Sequence, residues 1–262
     1  MKTPITYYGG KTNMLRHILP LLPGDHRTFA EPFFGGGAVL FGKSPSKVEV
    51  INDNFDTAIN FFEVCRDEQS FNELKRMIDS TLHSETVHRR SRDVMNAPAA
   101  ENPPVIRAWA FWVDVNMSFA HKSRGGFAFA NSGIAATTAR KVDNFTGEIC
   151  RRLRNVQIFS RDALDVIRRF DAPDTLFYLD PPYVNSNCGH YEKGKDVYYR
   201  LLELLPTLTG RWLLSSYPTP ELSEIWKRPG VNHLEVEKSL AVSGKHVAGR
   251  IKTETLTWNY QL

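Results

Sequence analysis

The chain has 262 residues, 42% hydrophobic and 24% charged, with a net charge of +4. That length buries a large core, as one large α/β domain or one domain with a sizeable insertion, and the composition excludes disordered and fibrous classes. No apolar run nears the roughly 18 residues of a membrane span, and Met1 to Thr6 lacks the apolar region of a secretory signal, so a cytoplasmic protein away from membranes is expected.

In chain order, a helix is predicted from about Thr12 to Leu22, with Leu15, Ile18, Leu19 and Leu22 on one face. A short strand, Thr28 to Glu31, enters Gly35-Gly36-Gly37 and then a short helix holding Ala38, Val39, Leu40 and Phe41. Lys47 to Ile51 alternates as a strand and ends at Asn52-Asp53, which makes a βαβ opening. From Thr57 to about Asn155 the pattern is mostly helical: Ala58 to Leu82, Pro104 to Phe119 and Ala139 to Leu153. Alternation resumes with strand Val156 to Ser160, helix Asp162 to Phe170, strand Thr175 to Leu179, a helix near Val197 to Leu205 and strand Arg211 to Ser216. Two β-rich runs follow, Val231 to Leu240 and Lys252 to Trp258, parted by Ser243-Gly244. The expected parse is an α/β domain of residues 1–56 and 156–262, interrupted by a mostly helical insertion of residues 57–155.

The insertion carries the charge surplus. Between His121 and Arg154 stand seven basic residues (Lys122, Arg124, Arg140, Lys141, Arg151, Arg152 and Arg154) against Asp143 and Glu148, so the rest of the chain is close to neutral. Such a surplus suits a polyanion partner, or simply a solvated face. Cys65, Cys150 and Cys188 form no C-x-x-C pair, and His83 and His88 have no matching ligand cluster and read as solvated helix residues. Neither a disulfide framework nor a metal site is expected.

The glycines of EPFFGGGAVLF lie between a strand and a helix, where they let a ligand approach backbone N–H groups closely. Leu40 stands where a dinucleotide fingerprint needs its third glycine, and Ile5 where YYGGKTN would need the first glycine of a phosphate loop. Phosphate chemistry is therefore disfavoured. Asp53 reads either as a ribose acceptor or as a helix cap, and Glu31 either as a partner for a cationic amino group or as a surface acid. Together they outline a site for an adenosine with a charged, phosphate-free tail.

In TLFYLDPPYVN, residues 175 to 185, an apolar strand breaks into an acid, two prolines and an aromatic ring. Each proline fixes its own φ and restricts the residue before it, which lets the Asp180 carboxylate and the Pro181 carbonyl aim at one place. Two acceptors suit a substrate NH2 group, pulling the delocalised amine of adenine toward tetrahedral, reactive geometry. Tyr183 offers a face on which an extruded base stacks, worth roughly 1–3 kcal/mol. The plainer reading is a stiffened turn with Asp180 as a cap.

With these motifs in order, YYGGK, EPFFGGG, NDN, SRDALDV and DPPY, the chain resembles the Dam-type DNA adenine-N6 methyltransferases from residue 5 to about residue 259. The resemblance implies a Rossmann-like, mostly parallel seven-stranded sheet with one antiparallel strand and an inserted, mostly helical target-recognition domain. It implies S-adenosylmethionine as methyl donor, no metal, and base flipping. Tyr7, Lys11, Glu31, Phe34, Gly35, Gly37, Asp53 and Asp162 are then expected at the cofactor, with Asp162 accepting from its adenine amine. Asp180, Pro181 and Tyr183 are expected to be catalytic. Tyr7 stands where tryptophan is usual in the family, a change that keeps an aromatic.

Double-stranded DNA is the implied partner, with a cognate restriction endonuclease as candidate companion, in a monomer or weak dimer of bacterial or phage origin. NMSFAHKSRGGFAFANSG, residues 116 to 133, reads as a β-hairpin tipped by Arg124-Gly125-Gly126, similar to the family's DNA-reading hairpin. Arg124 suits either bidentate contact with guanine or, with Lys122, phosphate contact. Arg151, Arg152 and Arg154 suit backbone phosphates, while Trp109, Phe111 and Trp112 read as core. Two rivals are cytosine-N4 methylation, whose enzymes commonly carry serine where Asp180 stands, and a non-catalytic DNA-binding protein on the same scaffold.

Overall fold

The computed structural model describes residues 1–130, 133–183, 191–239 and 251–262. Cys188, the Ser243-Gly244 break and the end of the predicted hairpin lie outside the described residues. Strands β1 (Thr28–Glu31), β2 (Val48–Asn52), β3 (Val156–Phe159), β4 (Thr175–Leu179), β5 (Arg211–Ser216), β6 (Asn232–Ser239) and β7 (Ile251–Trp258) form a seven-stranded sheet in the order β3-β2-β1-β4-β5-β7-β6. β2 with β3, β1 with β4 and β4 with β5 pair parallel, and β7 runs antiparallel to both β5 and β6. The predicted strands match to within a residue or two, and β1, β4 and β5 match at both ends. β4 is buried at every position, as expected of a central parallel strand covered on both faces.

Helices α1 (Leu15–Ile18), α2 (Ala38–Gly42), α3 (Asp56–Arg66), α4 (Glu68–Asp79), α5 (Glu85–Asn96), α6 (Pro104–Met117), α7 (Ile134–Asp143), α8 (Glu148–Leu153), α9 (Ala163–Phe170), α10 (Tyr191–Leu204) and α11 (Pro220–Trp226) complete the chain. The predicted first helix is realised as α1 flanked by 3-10 turns. The predicted Ala58 to Leu82 helix is two, because the Asp67 side chain accepts from Ser70 N and starts α4 afresh. Ala139 to Leu153 also divides: the chain leaves α7 at Asn144, drops the wholly buried Phe145 into the core, and begins α8 after Gly147. α5 went unpredicted since its buried face is His88, Ser91 and Met95, so apolar periodicity does not reveal it.

Two compact units result. One holds residues 1–16, 34–45 and 49–161; the other holds residues 17–33, 46–48 and 162–262. The predicted boundaries at 56/57 and 155/156 do not coincide with them, because the glycine loop, β3 and most of β2 go with the helices. Aromatic packing explains the cohesion of the first unit: Phe34 meets Phe62, Phe62 meets Phe61, Phe61 meets Phe111, and Phe71 stacks on Phe145 with centroids 5.2 Å apart.

Candidate active site

In the first unit, the glycine loop is moulded by contacts that exclude side chains. Gly35 and Gly37 have φ of +49° and +67°, conformations that favour glycine. A Cβ on Gly37 would stand 2.3 Å from Phe34 Cζ, and one on Gly35 would stand 3.3 Å from the Tyr7 ring. The Thr3 hydroxyl donates to Gly36 O. Phe34 was expected to touch the cofactor; its ring is instead buried against Phe41 and Phe62, where it supports the loop from beneath.

Asp53 follows β2 and ties the loop down. Its carboxylate accepts from Gly35 N at 2.8 Å and from Phe55 N at 3.0 Å, yet the residue stays half-buried. Burial raises its pKa, against the backbone hydrogen bonds from Gly35, Phe55 and Asn54. Burial also raises the Tyr7 phenol, with Asp53 adding to the effect, so Tyr7 stays a neutral ring beside that acid. Lys11 is buried, with Nζ donating to Gly9 O at 2.9 Å. Asn52, not singled out from sequence, is wholly buried and clamps Arg161 by accepting from its N–H at 2.9 Å and donating to its carbonyl at 3.1 Å. The NDN motif was its only signal.

In the second unit, β1 and β4 lie side by side with Ala30 opposite Phe177, so Glu31 and Asp180 both stand at carboxyl ends of neighbouring parallel strands. Ligands of open α/β sheets bind at such ends. Glu31 is only 2% exposed, which removes the surface-acid reading. The Tyr178 phenol is pushed well up by burial, then by the charges of Asp180 and Glu31. Asp180 and Tyr183 are half-buried and Pro181 is buried, so the strand's full burial opens at the acid. The Tyr183 hydroxyl lies 3.0 Å from Ser215 Oγ and donates to Glu254 Oε1 at 3.0 Å. Asp162 is exposed and caps α9 by accepting from Leu164 N at 2.8 Å.

The stretch after α6 departs from prediction. Among the described residues one bridge, Ser118 with Phe127, joins its arms, backed by Phe119 N to Gly126 O and Ala128 N to Met117 O. A ladder fails because the tip is pulled onto the helices. Asp114, wholly buried in α6, accepts from Ser123 Oγ and Arg124 N, both at 2.8 Å, and from Ser118 Oγ at 3.3 Å. Arg92 of α5 donates to Gly125 O at 2.5 Å. Ala120, His121 and Arg124 take positive φ. Lys122 and Arg124 remain exposed, as a DNA contact requires.

His83 and His88, read as solvated, are instead tied in. His83 bonds Thr138 Oγ1 and Ala128 O, and the buried His88 shares a 2.9 Å hydrogen bond with Ser118 Oγ. Arg152 is a further correction. Its guanidinium is nearly buried, pairs with both oxygens of Glu49 and donates to Leu40 O at 2.9 Å, so it is spent inside the protein and faces no phosphate. Arg151 and Arg154 stay exposed, near Glu148 and Glu68. Phe111 and Trp112 are wholly buried, and Trp109 Nε1 donates to Thr81 Oγ1 at 2.9 Å. Among the described residues no cluster of ligand side chains suits a metal, and no helix is long and apolar enough to cross a membrane.

A family model for D12 class N6 adenine-specific DNA methyltransferases matches residues 7–242. The type II methyltransferase M1.LlaDCHI of Lactococcus lactis subsp. cremoris is 44% identical over 272 residues, covering 96% of this chain and 93% of the relative. The type II methyltransferase M.CviBI of Paramecium bursaria Chlorella virus NC1A is 24% identical over 274 residues, 98% of this chain and 97% of the relative. A solved precorrin 8W decarboxylase from Methanobacterium thermoautotrophicum aligns over 100% of this chain and 96% of its own at 12% identity, with a TM-score of 0.40, too loose to bear on the fold.

Proposed function

The chain belongs to the D12 class N6 adenine-specific DNA methyltransferases, and from that premise we propose that it methylates the N6 amine of an adenine extruded from duplex DNA at one sequence, using S-adenosylmethionine. The observation that carries this reading is the half-buried Asp180, raised on two prolines at the end of a fully buried strand.

The residues present fit the cofactor. Asp53 has lone pairs beyond those engaged by Gly35 and Phe55, suited to ribose hydroxyls, and the buried Glu31 suits a cationic amino group. Tyr7 and Lys11 are assigned to holding the cofactor and Gly35 and Gly37 to shaping its cradle, Phe34 supports the loop, and Asp162 is assigned to the adenine amine while capping α9. Bound S-adenosylmethionine supplies an electrophilic methyl group on a sulfonium. Asp180 and the Pro181 carbonyl accept the two amine hydrogens of the target base and localise its lone pair. N6 would gain the methyl group as its bond to sulfur broke and left a neutral thioether, and the proton lost from N6 would pass to Asp180. Tyr183 stacks on the base.

Residues 57–155 are assigned to target recognition, with Arg124 at a base edge and Lys122 and Arg151 at phosphates. The type II relatives support a cognate restriction endonuclease as companion, and a monomer or weak dimer in the cytoplasm fits this work. The test is incubation with methyl-labelled S-adenosylmethionine and random-sequence DNA, followed by base-resolution mapping. N6-methyladenine in a single sequence context is expected. Absence of label in DNA, or label at cytosine N4, overturns the proposal.

A further inference from the structure

Why the ring after the prolines is tyrosine, when phenylalanine stacks as well, has an answer on β5 and β7. Ser215 pairs with Leu256 across these strands, and side chains alternate between faces, so Glu254 lies on the same face as Leu256, diagonal to Ser215. Glu254 is 3% exposed and Ser215 is fully buried. Glu254 Oε1 accepts from Ser215 Oγ at 2.7 Å and from the Tyr183 hydroxyl at 3.0 Å.

A carboxylate is costly to bury, and hydrogen bonds from two hydroxyls offset that cost. The phenol is a dependable donor, because burial first, then the charges of Asp180 and Glu254, keep it protonated far above neutral pH. Beside it, Tyr217 meets Tyr183 edge-on with centroids 4.4 Å apart, and Lys252 Nζ lies 3.8 Å from the centre of the Tyr217 ring. The ring of Tyr183 is thus fastened at its far end and braced at its side.

We infer that Glu254, with Ser215, is a positioning residue for methylation: it pins the Tyr183 hydroxyl so that the ring is already set to receive the extruded adenine. This rests on the assignment of Tyr183 as the base-stacking residue. A ring held in advance does not have to be ordered when the base arrives, so losing the pin weakens base capture more than it slows the chemical step. Neither Glu254 nor Ser215 touches the base; both act through the phenol.

The test uses the full chain, its mapped DNA site, and duplexes with 2-aminopurine in place of the target adenine, a base whose fluorescence is quenched by stacking. Glu254→Gln keeps the volume and an acceptor, which guards against misfolding; Tyr183→Phe removes the hydroxyl alone. Each is expected to raise KM for DNA on the order of tenfold, the scale of one net hydrogen bond to a charged group, and to move the fluorescence of the bound 2-aminopurine toward that of the free duplex; for Glu254→Gln, kcat is expected to change little. In the Tyr183→Phe background, Glu254→Gln is expected to add nothing further. Glu254→Gln matching the wild type in KM and fluorescence overturns the inference, as does a full additive loss in the double variant. Tyr183→Ala separates the layers. If it impairs methylation and base capture while Glu254→Gln does not, the pin alone fails; if it changes neither, the stacking assignment fails as well.

Discussion

The corner after β4 and the loop after α6 both hold functional candidates still, half-buried Asp180 in one and exposed Arg124 in the other, by different means. At the corner, Pro181 and Pro182 restrict the backbone from within, next to the residue they serve. In the loop, Arg124 has no such neighbour. Its backbone takes φ +61° because Asp114, on the preceding helix, accepts from its N–H, while Arg92 of α5 grips Gly125. A left-handed residue with a side chain costs about 1–2 kcal/mol and persists only where its surroundings insist on it. Covalent restraint is therefore visible in adjacent letters, whereas restraint by a buried acid needs the fold to be seen.

The sharpest way to break this comparison is at the corner. Asp180→Ala is expected to lower turnover at least ~10²-fold while leaving cofactor affinity similar, as losing a preorganised polar group does. Single-turnover methylation with equilibrium dialysis of labelled S-adenosylmethionine measures both, and undiminished turnover would sink the role of Asp180. The matching change in the loop has a different signature. Asp114→Ala strips Ser118, Ser123 and Arg124 N of their acceptor. It is expected to cost about 1–3 kcal/mol in urea unfolding, and to relax sequence preference as Arg124→Ala does. If both variants keep the wild-type preference across a panel of duplexes, Arg124 contacts phosphate alone.

The smallest effect sharpens the contrast through pH. Burial lowers the pKa of His88, against the pull of Asp114 and with help from Arg92 and His83, while Glu85 opposes. The folded state thus keeps His88 neutral at a pH where the unfolded chain takes up a proton. Stability is expected to fall as pH drops below the unfolded value of about 6.5. His88→Asn should flatten that part of the stability curve; an unchanged slope would show that His88 does not contribute to it.

Much of the site was legible because its constraints are local. The glycines at 35 and 37, Asp53 closing a strand and the DPPY run each announce themselves within a few residues. Arg152 was misread since charge in a sequence carries no direction. Only the fold shows it turned inward onto Glu49, where burial alone would raise the acid's pKa but hydrogen bonds from Arg152 and Lys43 hold it below the usual range. Phe34 likewise sits in the glycine-loop motif yet serves as packing, a distinction that depends on which way a ring turns from the backbone.

By itself the sequence determined the strands, the glycine loop and the acid on its proline corner, because short apolar runs, glycine's access to positive φ and proline's fixed φ are properties of neighbouring residues. Only the tertiary structure decided that Glu254 and Ser215 fasten Tyr183, that Asp114 and Arg92 shape the loop bearing Arg124, and that β3 and the glycine loop belong with the helices. Those links join groups far apart along the chain. They exist only once folding has buried a carboxylate and left it to find its donors wherever packing has put them.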